Sequence, residues 1–313
     1  MQFQKRAALL VVIALLAVAG LGAQTTRQHV PNGSVVFVTV SDLGSDSGMS
    51  WLLNAWQSSP RESGLRTVFG SVNYDEVSVA VLGSDASGSP RVLMVASLLG
   101  SYPASAFDAV LQTDASQISE ATVSGQTVRY IDPVPPGQDF GAYSQVGSAV
   151  LLGADRSVIE DALAAGPMAA NQGLQAMGSN LDLASNGLLF ADNDDTLFAD
   201  FLAPLERKWG MSLLLSADQL EWMGSAFDVI DSNTIEGTIL FEGGSRASMA
   251  DIRDDAEFLG EAFRRKFMAE QIAYESQVSV NGSTVELAFQ MSGLEPLWLR
   301  LFEQGVLSII QPQ

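Results

Sequence analysis

The chain contains no cysteine and a single histidine, His29. Without thiols there is no thiolate nucleophile, no cysteine-based metal site and no disulfide, so the core alone must hold the fold. With one imidazole, a triad or a histidine-rich zinc site would have to be built on His29, which the sequence places in a flexible stretch near the N-terminus. Beyond residue 5 the only lysines are Lys208 and Lys266. There is no Gly-x-Ser-x-Gly elbow, no Ser-x-x-Lys pair and no phosphate-cradling glycine loop. Positive charge is scarce, with 16 Lys and Arg against 36 Asp and Glu.

The first feature present is an export signal. Lys5 and Arg6 precede an unbroken apolar run from Ala7 to Ala19, and the small residues of Gly20-Leu21-Gly22-Ala23 lead into polar Gln24-Thr25-Thr26. This pattern predicts a secretory signal over residues 1–23, cut after Ala23. The competing reading is an uncleaved anchor over residues 7–23, at the lower limit of a spanning helix. No cysteine follows the run, which excludes a lipoprotein anchor. Removal of Lys5 and Arg6 leaves 14 basic residues against 36 acidic ones, a net charge of −22. Such a field repels nucleic acid and anionic headgroups. The expected location is periplasmic or extracellular. Membrane contact is expected only through an uncleaved N-terminal segment, and the expected partner is an envelope protein or a small ligand.

The 313 residues, 47% apolar, suffice for a buried core. Short β-branched runs predict strands at 34–40, 76–82, 91–99, 149–152, 187–191 and 234–241, with hairpins about Ser124-Gly125 and Asn281-Gly282. Helices are expected from near Asp46 to Gln57, over 103–111, 155–165 and 196–208, within 166–186, and over a closing stretch, 294–309. The clearest helix is 248–270. Ile252, Ala256, Leu259, Phe263 and Phe267 make one apolar stripe, and Ser248-x-x-Asp251 forms a capping box. The predicted class is α+β: a first half over 24–165 and a second over 166–313, each a curved antiparallel sheet with helices on one face. The two hairpins occupy matching places in the halves. Duplication accounts for that, and so does the turn chemistry common to any two hairpins.

An exported N-terminus, then Pro31-Asn32-Gly33 before an apolar strand running to Asp42, then paired strands, a helix and a glycine-turn hairpin: this layout resembles families of uncharacterised exported bacterial proteins, domains of unknown function. The resemblance covers most of the chain beyond the signal, lies in layout alone and implies no activity.

One motif points to chemistry. Leu188-Leu189-Phe190-Ala191-Asp192-Asn193-Asp194-Asp195-Thr196 is similar to the first motif of haloacid-dehalogenase-type phosphatases, an apolar strand followed by Asp-x-Asp-x-Thr. The resemblance implies Asp192 as phosphoryl acceptor, Asp194 as general acid and base, and Mg²⁺ between them. Ser216, Lys266 and the pair Asp254-Asp255 would supply the remaining parts. That family also implies a parallel sheet, and Lys266 follows the acidic pair in the wrong order. Asp192, Asp194 and Asp195, with Asp200, also offer oxygens for Ca²⁺, as do Asp42 and Asp46. The plainer reading of these acids is solvated loops and helix caps. The expectation is therefore a non-enzymatic exported scaffold or binding module without a cofactor, with the Mg²⁺-dependent phosphatase as the alternative.

Overall fold

The computed structural model describes residues 25–41, 72, 74–85, 90–111, 113–135, 138, 140–193 and 216–295. Twelve strands follow in chain order: β1 (Val36–Val40), β2 (Tyr74–Ser84), β3 (Pro90–Leu98), β4 (Ser119–Val123), β5 (Gln126–Tyr130), β6 (Ala142–Val146), β7 (Ala149–Gly153), β8 (Gly187–Asp192), β9 (Leu220–Asp231), β10 (Thr234–Gly243), β11 (Ala273–Asn281) and β12 (Thr284–Ser292). They form one sheet in the order β11-β12-β10-β9-β8-β1-β2-β3-β7-β6-β5-β4. Every pairing is antiparallel.

The α+β class holds, but the two expected sheets are one. The join is β1 with β8, where Phe37 lies opposite Phe190 and Val38 opposite Leu189. Read outward from this pair, β1-β2-β3 and β8-β9-β10 run in the same chain order. The two glycine-turn hairpins do not then occupy matching places. The Asn281-Gly282 hairpin, β11–β12, lies directly beside β10, whereas the Ser124-Gly125 hairpin, β4–β5, is separated from β3 by β6 and β7. The turns themselves differ: Ser124 and Gly125 between Val123 and Gln126 both sit at positive φ, as a type I′ turn demands, whereas between Asn281 and Thr284 only Gly282 does, the turn residues there being Gly282 and Ser283.

Both faces of the sheet are covered, so the central strands are apolar on both sides. Val36 and Val38 of β1 join one cluster and Phe37 joins the other. On the first face lie the 3₁₀ helix Ala104–Leu111, through Phe107, Val110 and Leu111, and the long helix over Met249–Ala269. On the opposite face lie α1 (Arg156–Ala164) and α2 (Gln172–Met177), through Val158, Ile159, Leu174 and Met177. The long helix is α3. Asp155 caps α1 by accepting from the N–H groups of Ser157 and Val158 at 2.8 and 3.2 Å. None of the described helices is long and apolar enough to cross a membrane.

The predicted stripe on α3 meets the sheet. Ile252, Ala256 and Leu259 are buried, while Phe263 and Phe267 are half-buried against Tyr274 of β11. Only half of the capping box forms. The Ser248 hydroxyl accepts from the N–H of Asp251, but the N–H of Ser248 donates to Gln219 at 2.7 Å. Gly260 sets how closely α3 approaches, because a Cβ there would stand 2.7 Å from the Ser276 hydroxyl. The expected helices at 46–57 and 196–208 lie outside the described residues, as does all of 294–309 beyond Glu295.

Truncating Leu259 to Ala should leave a cavity between α3 and the sheet and lower the unfolding free energy by about 2–4 kcal/mol in urea titration. Gly260→Leu should destabilise as well, by pushing α3 off β11.

Candidate functional site

Asp192 ends β8, with its backbone N–H bonded to Val35 at 2.9 Å. Asp194, Asp195 and Asp200 lie outside the described residues, as do Asp42 and Asp46. The strand carrying Asp192 has antiparallel neighbours on both sides, β1 and β9, which is not the parallel sheet that the phosphatase resemblance implies. Strand alternation puts Asp192 on the side of Leu188 and Phe190, the face covered by α1 and α2.

The other expected members lie elsewhere. Ser216 is buried, and both its N–H and its hydroxyl donate to the same oxygen of Asp255 at 2.6 Å. Asp255 belongs to α3, on the opposite face of the sheet from Asp192. Lys266 lies 3.7 Å from Glu270 on that same helix. The structure thus joins Ser216 to Asp255 but sets that pair on the face opposite Asp192. Among the described residues no three Asp, Glu or His side chains are grouped to hold a metal ion.

A different acid is the most deeply placed, and sequence reasoning missed it. Glu76 of β2 is 2% exposed. A register shift between Tyr74 and Glu76 breaks the alternation of β2. Tyr74 joins the α3-side cluster, whereas Glu76 lies with Ser78 on the opposite face. This is the re-aiming that a bulge performs.

Glu76 meets the residues directly after the expected cleavage position. Thr25–Gln28 are helical, a 3₁₀ turn over Thr26–Gln28 with Thr25 also in the αR region. Thr25 N–H donates to Oε2 of Glu76 and Thr26 N–H to Oε1, each at 3.1 Å. The Thr26 hydroxyl bonds both Glu76 and the Ser78 hydroxyl, and Thr39 Oγ1 stands 3.5 Å from Oε1. Arg27 is 6% exposed and donates to the Leu183 carbonyl at 3.0 Å. Further along, Val30 accepts from Met168 N–H at 2.6 Å, Asn32 N–H donates to Gly166 at 2.8 Å, and Pro31 bridges Pro167. The stretch expected to be a flexible tail is therefore part of the core. His29 closes the turn, half-buried, and desolvation pushes its imidazole pKa down.

Burial pushes the Glu76 carboxyl above the ordinary carboxylate range. The Thr25 and Thr26 donors and the nearby positive charge of Arg27 pull the other way without cancelling that effect. Burial likewise lowers the Arg27 pKa, with Glu76 opposing. The arrangement suits the gripping of a peptide segment: two neighbouring backbone N–H groups on one carboxylate, with the Thr26, Ser78 and Thr39 hydroxyls around them. Comparison with family models, with curated proteins and with solved structures gives no match.

Glu76→Ala should strand buried backbone donors and cost roughly 1–3 kcal/mol of stability. Because the folded state holds the Glu76 proton more tightly than the unfolded chain, stability from this group is greatest at low pH. It should fall as pH rises from the ordinary carboxylate value towards the raised one. Thermal melts of wild type and Glu76→Gln across that interval should converge or diverge accordingly, the variant lacking this component of the pH dependence.

Proposed function

We propose that the chain is an exported, non-enzymatic protein of the envelope or extracellular space, a scaffold or binding module with the layout of the uncharacterised exported proteins it resembles. One observation carries the reading. The most buried carboxylate among the described residues is occupied by the chain's own backbone, at the segment directly following the export signal. An interior acid spent on holding the polypeptide serves architecture. The acids that suggested phosphoryl chemistry point the same way, since Asp255 is engaged by Ser216 on the face opposite Asp192.

The binding surface we favour is the β11 edge. Seven of its nine residues are exposed, and it ends the sheet with backbone groups directed away from β12. An extended segment of an envelope protein would add there as a further strand. We also propose that the sheet arose by duplication about the β1–β8 pair, with β6–β7 as the counterpart of β11–β12. In support, β7 flanks β3 as β12 flanks β10, and a helical segment on the same face follows β3 and β10 alike.

Two measurements test this. Intact mass and N-terminal sequencing of the protein recovered from the periplasm or medium should find Gln24 first. A full-length chain in the cytoplasm contradicts export. A panel of aryl phosphates and other hydrolase substrates with Mg²⁺ should give no turnover. Phosphate release abolished by Asp192→Asn would establish the enzyme instead.

A further inference from the structure

We infer that the extended segment which adds to β11 is β11 of a second copy of this chain, paired antiparallel about a twofold axis through Gln277. The inference rests on the reading of β11 as the binding edge. Strand alternation, charge and helix spacing carry it.

The edge is unguarded. Natural sheet edges are blunted by proline, lysine, bulges or short strands. β11 has no proline and no lysine, and all nine of its residues pair with β12 without a register shift. At the other end of the sheet β4 has five residues, and its Glu120 is tied to Arg129 at 3.1 Å.

The strand also matches itself. The Gly243 N–H donates to Ser283, which fixes the hydrogen-bond alternation across β10, β12 and β11. The N–H and C=O groups of Tyr274, Ser276, Val278 and Val280 therefore point away from β12. These four residues are placed evenly about Gln277, the midpoint of Ala273–Asn281. A twofold there sets Tyr274 opposite Val280 of the second copy and Ser276 opposite its Val278, so outward groups meet outward groups along the whole strand. The side chains of these residues lie on the α3 face, where Tyr274 packs on Phe263 and Phe267. Val280 is 45% exposed and gains an aromatic neighbour.

The acidic net charge opposes contact between copies, but the strand keeps that charge away. Glu275 is its only charged residue, in a chain with 36 acidic ones, and the twofold sets it opposite Ser279. The helices fit as well. α3 lies over both outer strands, since Gly260 stands against Ser276 of β11 and Leu287 of β12. With the two β11 strands side by side, the α3 axes are about two strand spacings apart, about 10 Å, a normal helix packing distance. The stripe of α3 that includes Gly260 also carries Arg253, Glu257 and Arg264, so a second α3 meets both signs rather than a wall of acid.

Because the chain has no cysteine, single thiols report the register. Gln277→Cys faces itself in a non-hydrogen-bonded pair with Cα atoms about 4.5 Å apart, within disulfide range, whereas two Glu275→Cys thiols stand about 14 Å apart along the strands. In the purified full chain under a mild oxidant, Gln277→Cys should give at least about tenfold more covalent dimer than Glu275→Cys. Mixing Glu275→Cys with Ser279→Cys chains should restore the cross-link. Ser276→Pro removes an outward N–H that β12 does not use, and should halve the mass measured by light scattering. The cysteine variants, at exposed positions, serve if the proline variant fails to fold. Equal cross-linking at 275 and 277 overturns the twofold, as does a monomeric wild type or a dimer whose mass Ser276→Pro leaves unchanged. Hydrogen exchange separates this failure from failure of the edge reading. In a monomer, fast exchange at Ser276, Val278 and Val280 overturns the second copy and leaves β11 open to a segment of another protein. Slow exchange there shows the edge covered from within the chain and overturns both.

Discussion

The antiparallel pairing of β1 with β8 is the constraint on which the rest of the packing depends. It fuses both parts of the chain into one sheet, so β1 lies near its middle with strands on each side. A strand in that position has no solvent face, and Val36, Phe37, Val38 and Thr39 are all buried. Each face then requires its own cover. The chain supplies α3 and the 3₁₀ helix Ala104–Leu111 on one side, and α1, α2 and the N-terminal turn on the other. The two apolar clusters are consequences of that one joint.

Covering the second face near the centre exposes a difficulty. Thr39, Glu76, Ser78 and Ser97 bring polar groups into the region where β1, β2 and β3 meet. An apolar helix laid over them would leave a carboxylate unpaired, a large penalty in a water-poor site. A short polar turn presenting backbone N–H groups resolves it. Thr25 and Thr26 suit the place because each offers an N–H, and the Thr26 hydroxyl also reaches Ser78. Removing the turn would leave Glu76 without these donors, and changing Glu76 would leave the donors without an acceptor.

What could be read from the sequence follows from how far each feature depends on distant residues. The stripe on α3 and the β11–β12 hairpin carry their own periodicity and turn residues, and both stand close to where the spacing placed them. β9 was missed because it is covered on both faces and so lacks alternation, and because Gly224 and Ser225 interrupt it. Gly224 is required there: a Cβ would come within 2.1 Å of the Met177 sulfur in α2. The N-terminal turn was misread for a related reason. Thr-Thr-Arg-Gln is polar, and its burial depends on a carboxylate 50 residues away, itself re-aimed by a bulge that leaves no mark in composition. The Asp-rich motif is local too, but the partners it would need are distant: Asp255 stands on the face opposite Asp192, and Asp194 and Asp195 lie outside the described residues.

These separations also order the folding of the chain. The N-terminal segment is synthesised first, yet its partners come much later: Glu76 is 50 residues on from Thr26, and Leu183 is 156 on from Arg27. Contacts across such loops form late, because closing them costs chain entropy before any reward is collected. The reward is itself shared, since Glu76 is held on β2 while Gly166 and Met168 belong to the connector that leads to β8. Only when β1 has paired with both β2 and β8 do these two sets of acceptors and donors stand at the right separation for one short segment. Residues 25–34 are thus the last to be fixed.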